Sequence, residues 1–169
     1  MDVEIKSLDH LDDRDEFEAV IREYLADVLA ELNARIEAPV SLDPLVRATL
    51  DNIGAYLPPN GALWQARSPD GTLVATICLK MIRPDAAEIK RLYIRPAARR
   101  LKLGRRLTLM AMDKAAELGA KRILIDTGRW MTPAIQLYSG LGFTEIPRYP
   151  ESENDPALGA NLIYMEKVF

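Results

Sequence analysis

Apolar residues recur at helical spacing in the first third of the chain and predict two amphipathic helices, over 13–36 and 43–57. Asp13 begins a capping-box pattern at the start of the first helix. Asp43 and Pro44 are typical of an N-cap followed by a proline at the first helical position. The chain is therefore expected to open with two helices in succession.

Alternating and apolar runs follow, and they predict a sheet interrupted by helices. Predicted strands cover 63–67, 72–81, 87–94, 123–126, 143–146 and 161–168, with helices over 103–118 and 133–139. Ser68-Pro69-Asp70-Gly71 is a hairpin turn between the first two strands, and 147–159 is a polar loop. This order predicts one mixed α/β domain, over 1–169, around one sheet.

Composition and charge narrow the class of protein. Apolar residues make up 49% and charged residues 28% of the 169 positions, which is ordinary for a soluble globular protein. The net charge of −3 offers no general attraction to nucleic acid or to an anionic membrane. The first residues lack a basic segment followed by an apolar run, and no apolar stretch approaches membrane-spanning length. We therefore expect a cytoplasmic protein with no membrane or nucleic-acid partner.

The cysteine and histidine counts exclude several chemistries. Cys78 is the only cysteine, so neither an intrachain disulfide nor a cysteine-based metal site can form. It lies in an apolar strand, where a buried core thiol is expected. His10 is the only histidine, so a nucleophile–histidine mechanism would depend on one residue in an acidic segment. We expect neither a metal nor a covalent enzyme intermediate.

The strongest chemical signal is a basic turn after the strand at 87–94. Between Lys90 and Arg106 there are eight Lys or Arg residues and no Asp or Glu. A strand, a basic turn with a glycine and a helix start together form a common pyrophosphate site, because the first helical N–H groups are unpaired. The alternative is a basic, solvated helix start. The turn has neither the Walker A pattern nor the dinucleotide-binding glycine pattern.

Two motifs resemble those of the GCN5-related N-acetyltransferase (GNAT) superfamily. The cofactor signature, Arg/Gln-x-x-Gly-x-Gly/Ala, corresponds to Arg99-Arg100-Leu101-Lys102-Leu103-Gly104. The second pattern, Ala-x-x-Leu-Tyr-x-x-x-Gly-Phe, corresponds to the stretch from Ala134 to Phe143. Lys102 stands where the signature usually has its first glycine, and Met131 where an asparagine often precedes the second motif. The resemblance implies a GNAT-like acyl-CoA acyltransferase fold, with a mixed, mostly antiparallel twisted sheet of about six to seven strands flanked by helices.

The resemblance also implies acetyl-CoA as the donor. In such proteins the central strand splays from the next one, and pantetheine would pair with the backbone of Leu92, Tyr93 and Ile94. An N–H near Leu92 and Tyr93 would polarise the thioester carbonyl. The pyrophosphate would be held by Arg99, Arg100, Leu101, Lys102, Leu103, Gly104 and Arg105. An amine would then attack the thioester directly.

Glu88 and Tyr138 are the candidate catalytic residues. Glu88 lies four residues before Leu92, so we expect it to share that residue's face of the strand and to act as the general base. The alternatives are a surface glutamate paired with Lys90 or Arg91, or a base that acts through water. Tyr138 aligns with the family's tyrosine, which implies a general acid for the departing thiolate; the alternative is a core aromatic residue.

The acceptor is not named by the sequence. Candidate pocket residues are Tyr24, Trp130, Met131, Arg148 and Tyr149. The acidic residues of the first helix, which are Glu16, Glu23, Asp27 and Glu31, either attract a cationic amine or form a solvated face. The hypotheses are an N-acetyltransferase acting on a small amine or a protein amino group, a non-catalytic acyl-CoA-binding regulatory module, and an interaction protein that does not use CoA. A homodimer is left open.

Overall fold

A computed structural model describes residues 2–169, which form a seven-stranded sheet with helices on both faces. The strands are β1 (Glu4–Leu8), β2 (Gly61–Arg67), β3 (Leu73–Arg83), β4 (Ala86–Ile94), β5 (Arg122–Gly128), β6 (Thr144–Ile146) and β7 (Leu162–Val168). The helices are α1 (Arg14–Asn33), α2 (Leu42–Asp51), α3 (Leu103–Glu117) and α4 (Thr132–Gly140). The strand order is β1-β2-β3-β4-β5-β7-β6.

Only the β4–β5 pair is parallel, and the other neighbouring strands are antiparallel. The predicted mixed, mostly antiparallel sheet is therefore confirmed. β1 was not predicted. It pairs with β2 at the edge of the sheet, and its residues are exposed or half-buried, so the short segment lacks the apolar signal of a buried strand.

The two N-terminal helices are present, with shifted ends. The Asp13 side chain accepts a 2.8 Å hydrogen bond from the Glu16 amide, as the capping pattern predicts. α1 ends at Asn33, whose side chain exchanges two hydrogen bonds with the Val40 backbone and so fixes the following turn. The N-cap of α2 is Ser41, so the assignment of Asp43 as the cap is wrong. A proline at the third helical position is tolerated because amides of the first turn have no helical partner.

Each face of the sheet packs against its own pair of helices. On one face, Ile89 and other β-strand residues pack with Leu103 and Leu107 of α3 and with residues of α4. On the other face, α1 and α2 cover a cluster that contains Cys78. Burial raises the pKa of the Cys78 thiol to about 12, so the prediction of a core thiol is confirmed.

A β-bulge interrupts β4 and decides which way its later residues point. The pairing with β3 shifts between Lys90 and Tyr93, where Arg91 adopts a left-handed conformation with φ of 55°. Leu92 consequently packs into the cluster on the α3 face, whereas Glu88 pairs with Lys80 on the α2 face. The prediction that Glu88 and Leu92 share a face is therefore wrong, because the extra residue reverses the alternation.

No helix within residues 2–169 is long and apolar enough to cross a membrane.

Candidate active site

A cavity opens where β4 and β5 separate. The two strands pair only from Ala86 to Glu88 on β4 and from Arg122 to Leu124 on β5. Beyond these pairs a cavity of about 720 Å³ lies between β4, β5, α1, the start of α3 and α4. The expected splaying of the central strand is thus present, and the β4 backbone has no β5 partner along the cavity.

Leu92, Tyr93 and Ile94, the predicted pantetheine-binding residues, all line this cavity. The Tyr93 side chain is held away from the strand edge, since its hydroxyl donates a 2.6 Å hydrogen bond to Glu23 of α1. The backbone of this segment therefore remains available to an extended ligand, which would be added like a further strand.

The basic turn lies at one end of the cavity. It is a 3₁₀-helix (Pro96–Leu101) followed by Lys102, which has φ of 55° and ψ of 21° and is the N-cap of α3. The cavity-lining residues of the turn are Arg99, Lys102, Gly104 and Arg105. The left-handed conformation at Lys102 accounts for the glycine that the family signature has there, because glycine adopts it without steric cost.

Three of the predicted turn residues do not line the cavity with their side chains. Arg100 is exposed on the outside of the turn, and Leu101 and Leu103 pack into the core on the α3 face. Any contact of Leu101 or Leu103 with a phosphate would therefore be through the backbone.

Gly104 keeps the helix start close to β4 and α4. A Cβ atom at this position would lie 3.4 Å from side-chain carbons of both Ile94 and Leu137, tighter than most carbon contacts. The absence of a side chain leaves the first amides of α3 open to the cavity, where a phosphate could accept their hydrogen bonds.

Tyr138 of α4 lies on the cavity wall with its ring buried. The side chain is 5% exposed, and its ring packs against Phe143 at 5.4 Å between centroids. Burial raises the pKa of its hydroxyl, so the group stays protonated at neutral pH and can act as a proton donor.

Glu88 is fully buried and does not line the cavity. Its Oε1 atom accepts a 2.5 Å hydrogen bond from the Tyr149 hydroxyl and lies 3.2 Å from Nζ of Lys90. Lys80 lies 3.5 Å from the other carboxylate oxygen. Burial raises the pKa of Glu88 in spite of these cations. The predicted alternative of a pair with Lys90 is present, but the pair is in the interior and not on the surface.

Asp126 is the carboxylate that does face the cavity. It lies in β5 with its side chain 15% exposed, and it forms a 2.6 Å ion pair with Lys90. Burial alone would raise the pKa of Asp126, but the attraction of Lys90 outweighs it and lowers the pKa. The Tyr149 hydroxyl lies 3.3 Å from Oδ2 of Asp126, so Tyr149 connects this residue to Glu88.

Sequence reasoning did not select Asp126 or Lys90 as site residues. A signal was present, since Asp126 follows the apolar run Ile123-Leu124-Ile125, where a charged side chain in a buried strand calls for a partner. The identity of that partner depends on the β4–β5 pairing, which brings residues 36 positions apart into contact.

The candidate acceptor residues divide into two groups. Tyr24, Trp130 and Met131 line the cavity. Arg148 instead donates hydrogen bonds to the backbone carbonyls of Ser152 and Asn154 and holds the loop after β6.

The acidic side of α1 also divides. Asp27 and Glu31 line the cavity. Glu16 and Glu23 are engaged in ion pairs with arginines of other elements. Attraction of a cationic amine by Asp27 and Glu31 stays a prediction, and Glu16 and Glu23 are paired within the protein.

Comparison with known proteins agrees with this geometry. Residues 25–143 match the family model described as "Acetyltransferase (GNAT) family". The chain belongs to the GNAT family. This GNAT chain is 30% identical over 155 residues to an uncharacterized N-acetyltransferase of Schizosaccharomyces pombe, a match that covers 90% of this chain and 86% of the relative. It is 42% identical over 62 residues, 37% of each chain, to the uncharacterized N-acetyltransferase YjgM of Escherichia coli.

Solved structures support the same fold for this GNAT protein. The PaiA N-acetyltransferase of Thermoplasma acidophilum, solved in complex with coenzyme A, superimposes with a TM-score of 0.73 over the full length of both chains at 22% identity. Together with the family match, the relatives identify the chain as an N-acetyltransferase.

Proposed function

We propose that residues 1–169 form one acetyltransferase domain that transfers the acetyl group of acetyl-CoA to an amine by direct attack. The observation that carries the proposal is the cavity between the diverging strands β4 and β5, which ends at a basic helix start. The unpaired β4 edge suits the amide-containing pantetheine arm of an acyl-CoA donor, and the basic turn suits its pyrophosphate.

In this proposal the backbone of Leu92–Ile94 pairs with the amides of pantetheine, and an amide near Leu92 and Tyr93 polarises the thioester carbonyl. The first amides of α3, with Arg99, Lys102 and Arg105, hold the pyrophosphate. Arg100 has no direct part, because its side chain lies outside the cavity.

An ammonium acceptor must lose a proton before its nitrogen can attack. Asp126 is suited to receive that proton, since it is ionised and borders the cavity. The proton can then pass to the Tyr149 oxygen while the Tyr149 proton moves to Glu88, across the 3.3 Å and 2.5 Å contacts. Glu88 would thus serve as the final proton acceptor without touching the substrate.

The free amine then forms a bond to the carbonyl carbon, the carbon–sulfur bond breaks, and the newly bonded nitrogen releases its second proton to solvent. The negative charge that develops on the carbonyl oxygen is stabilised by the amide near Leu92. The leaving thiolate takes its proton from the Tyr138 hydroxyl, which recovers a proton from solvent after the product leaves. Glu88 returns its proton to solvent through Tyr149 and Asp126 before the next turnover, so acetylation of an ammonium acceptor releases one proton overall.

The test is a combined thermal-shift and thiol-release measurement with acetyl-CoA and a panel of primary amines. We expect acetyl-CoA to raise the melting temperature and at least one class of amine to release CoA thiol. Stabilisation with no release across the whole panel would favour the non-catalytic acyl-CoA-binding module. A lack of stabilisation by acetyl-CoA would contradict both.

A further inference from the structure

We propose that Arg91 binds a carboxylate on the acceptor, so that the acceptor class is an amino acid. This inference rests on the proposed acetyl transfer and names the substrate of the same site. It starts from the bulge in β4, which places Arg91 on the cavity wall on the side of α2.

The Arg91 side chain is held in position by α2. Its Nε atom donates a 2.9 Å hydrogen bond to the Thr49 hydroxyl, and that hydroxyl donates a 3.0 Å hydrogen bond to the Leu45 carbonyl. Thr49 is 1% exposed, so the contact that orients the guanidinium is itself fixed by packing. The side chain loses little further conformational freedom when it binds a ligand.

Arg91 differs from its charged neighbours in having no carboxylate partner. In the part of the chain that the structure describes, Lys90 is paired with Asp126 and Arg95 with Glu23, whereas no ion pair includes Arg91. A half-buried cation at a cavity wall favours an anionic ligand. With Nε bonded to Thr49, the two terminal nitrogens remain for a bidentate bond, the geometry that suits a carboxylate.

The position of Asp126 relative to Arg91 indicates the chemical class of the acceptor. Lys90 precedes Arg91 in the strand and pairs with Asp126, and both Arg91 and Asp126 line the cavity. The residue that would bind the carboxylate and the residue that would accept the proton therefore border the same part of the cavity. A molecule that carries an amine and a carboxylate close together meets both. Asp27 and Glu31 on α1 would repel the carboxylate and direct it towards Arg91. Val28 and Trp130 offer apolar surface to the side chain.

The experiment compares matched acceptors, L-leucine with L-leucinamide and L-phenylalanine with L-phenylalaninamide, at saturating acetyl-CoA. We expect kcat/KM for each acid to exceed that for its amide by about 10- to 100-fold, the range of a charge-assisted hydrogen-bonded pair. In Arg91→Gln the ratio should fall to about one through a higher KM for the acids. Arg91→Lys should retain part of the preference, and Thr49→Val should lower it.

The matched control is Arg47→Gln, an exposed arginine of α2 that does not line the cavity, which should keep the wild-type ratio. The inference would be overturned if Arg91→Gln lowered kcat/KM equally for acid and amide, or if the wild type preferred the amides. Either result would leave the proposed acetyl transfer unaffected. No transfer to any amine in the wider panel would overturn both.

Discussion

Tyr149 donates a 2.5 Å hydrogen bond to Glu88 and so ties the loop after β6 to the centre of the sheet. The same hydroxyl lies 3.3 Å from Asp126. Within residues 2–169, Tyr149 and Lys90 are the only side chains that contact both carboxyl groups. Removal of the Tyr149 hydroxyl therefore separates the cavity from Glu88.

We expect Tyr149→Phe to lower kcat by about a hundredfold, as loss of a general acid–base path does, with little change in the Kd of acetyl-CoA. The control is Tyr164→Phe, because the Tyr164 ring packs edge-on against Tyr149 at 5.7 Å while its buried hydroxyl has no partner. That variant should keep the wild-type kcat. A Tyr149→Phe enzyme with unchanged kcat would exclude the relay.

Tyr138→Phe should lower kcat by about a hundredfold, since the thiolate would leave without a proton donor. The loss should shrink with an acetyl thioester of a more acidic thiol, because such a leaving group needs less protonation. Steady-state rates with both donors provide the measurement. Equal losses with the two donors would indicate a packing role for the ring against Phe143.

Reversal of charge at Arg105 should weaken acetyl-CoA binding, because this side chain lines the basic end of the cavity, where we propose that the pyrophosphate binds. We expect Arg105→Glu to raise the Kd at least about tenfold, the effect of losing one charge-assisted contact. Arg106→Glu is the matched control, since the neighbouring arginine is exposed and lies off the cavity. Calorimetric titration that gave equal Kd changes for the two variants would contradict the assigned pyrophosphate site.

Lys102→Gly should stabilise the protein. A left-handed conformation costs a non-glycine residue about 1–2 kcal/mol, and the greater freedom of glycine in the unfolded chain offsets part of the gain. The free energy of unfolding in urea should therefore rise by up to about 1 kcal/mol. Lys102→Ala removes the charge and keeps the conformation, so it should show no such increase. A lower stability for the glycine variant would mean that the Lys102 side chain makes a compensating contact.

The ion pair of Asp126 with Lys90 should make stability depend on pH. The folded pKa of Asp126 lies below its ordinary value of 3.8, so its contribution is complete above that value and is lost as the pH falls through the folded pKa. Asp126→Asn should be about 1–3 kcal/mol less stable than the wild type at neutral pH, the range for an unpaired buried group.

That deficit should narrow as the pH falls from 3.8 through the lower folded pKa, where the wild-type carboxylate becomes protonated. Urea unfolding at neutral pH and at about pH 2 provides the comparison. Asp113→Asn, on the exposed side of α3, should show no deficit at either pH. A deficit for Asp126→Asn that does not change with pH would mean that the pair with Lys90 adds nothing to stability.

The sequence allowed the sheet and the cavity-lining basic turn to be predicted because their signals are local. Gly104 and the basic residues around it fall within one turn, and the apolar runs of β2, β3 and β5 are bounded by clear breaks. β1 was missed because an edge strand with five exposed or half-buried residues has almost no apolar pattern.

The contacts behind the proposed proton transfer could not be predicted, because they join residues that are distant in sequence. No residue type around Arg91 indicates a bulge in the sequence. The bulge alone places Leu92 on the face opposite to the one expected for an uninterrupted strand. Tyr149 meets Glu88 across 61 residues, through a loop whose path depends on the packing of Tyr149 against Tyr164.

The bulge also has a consequence for how this chain tolerates insertions and deletions. Deleting Arg91 would restore uninterrupted pairing between β3 and β4, and the residues from Leu92 to Ile94 would keep their present sides of the sheet, because Arg91 is the one residue of β4 in excess of its β3 partners. Tyr93 would keep its hydrogen bond to Glu23 of α1, whereas the cavity wall would lose its arginine side chain. The loss of one residue at this point should therefore preserve the sheet and remove only the arginine that faces the cavity.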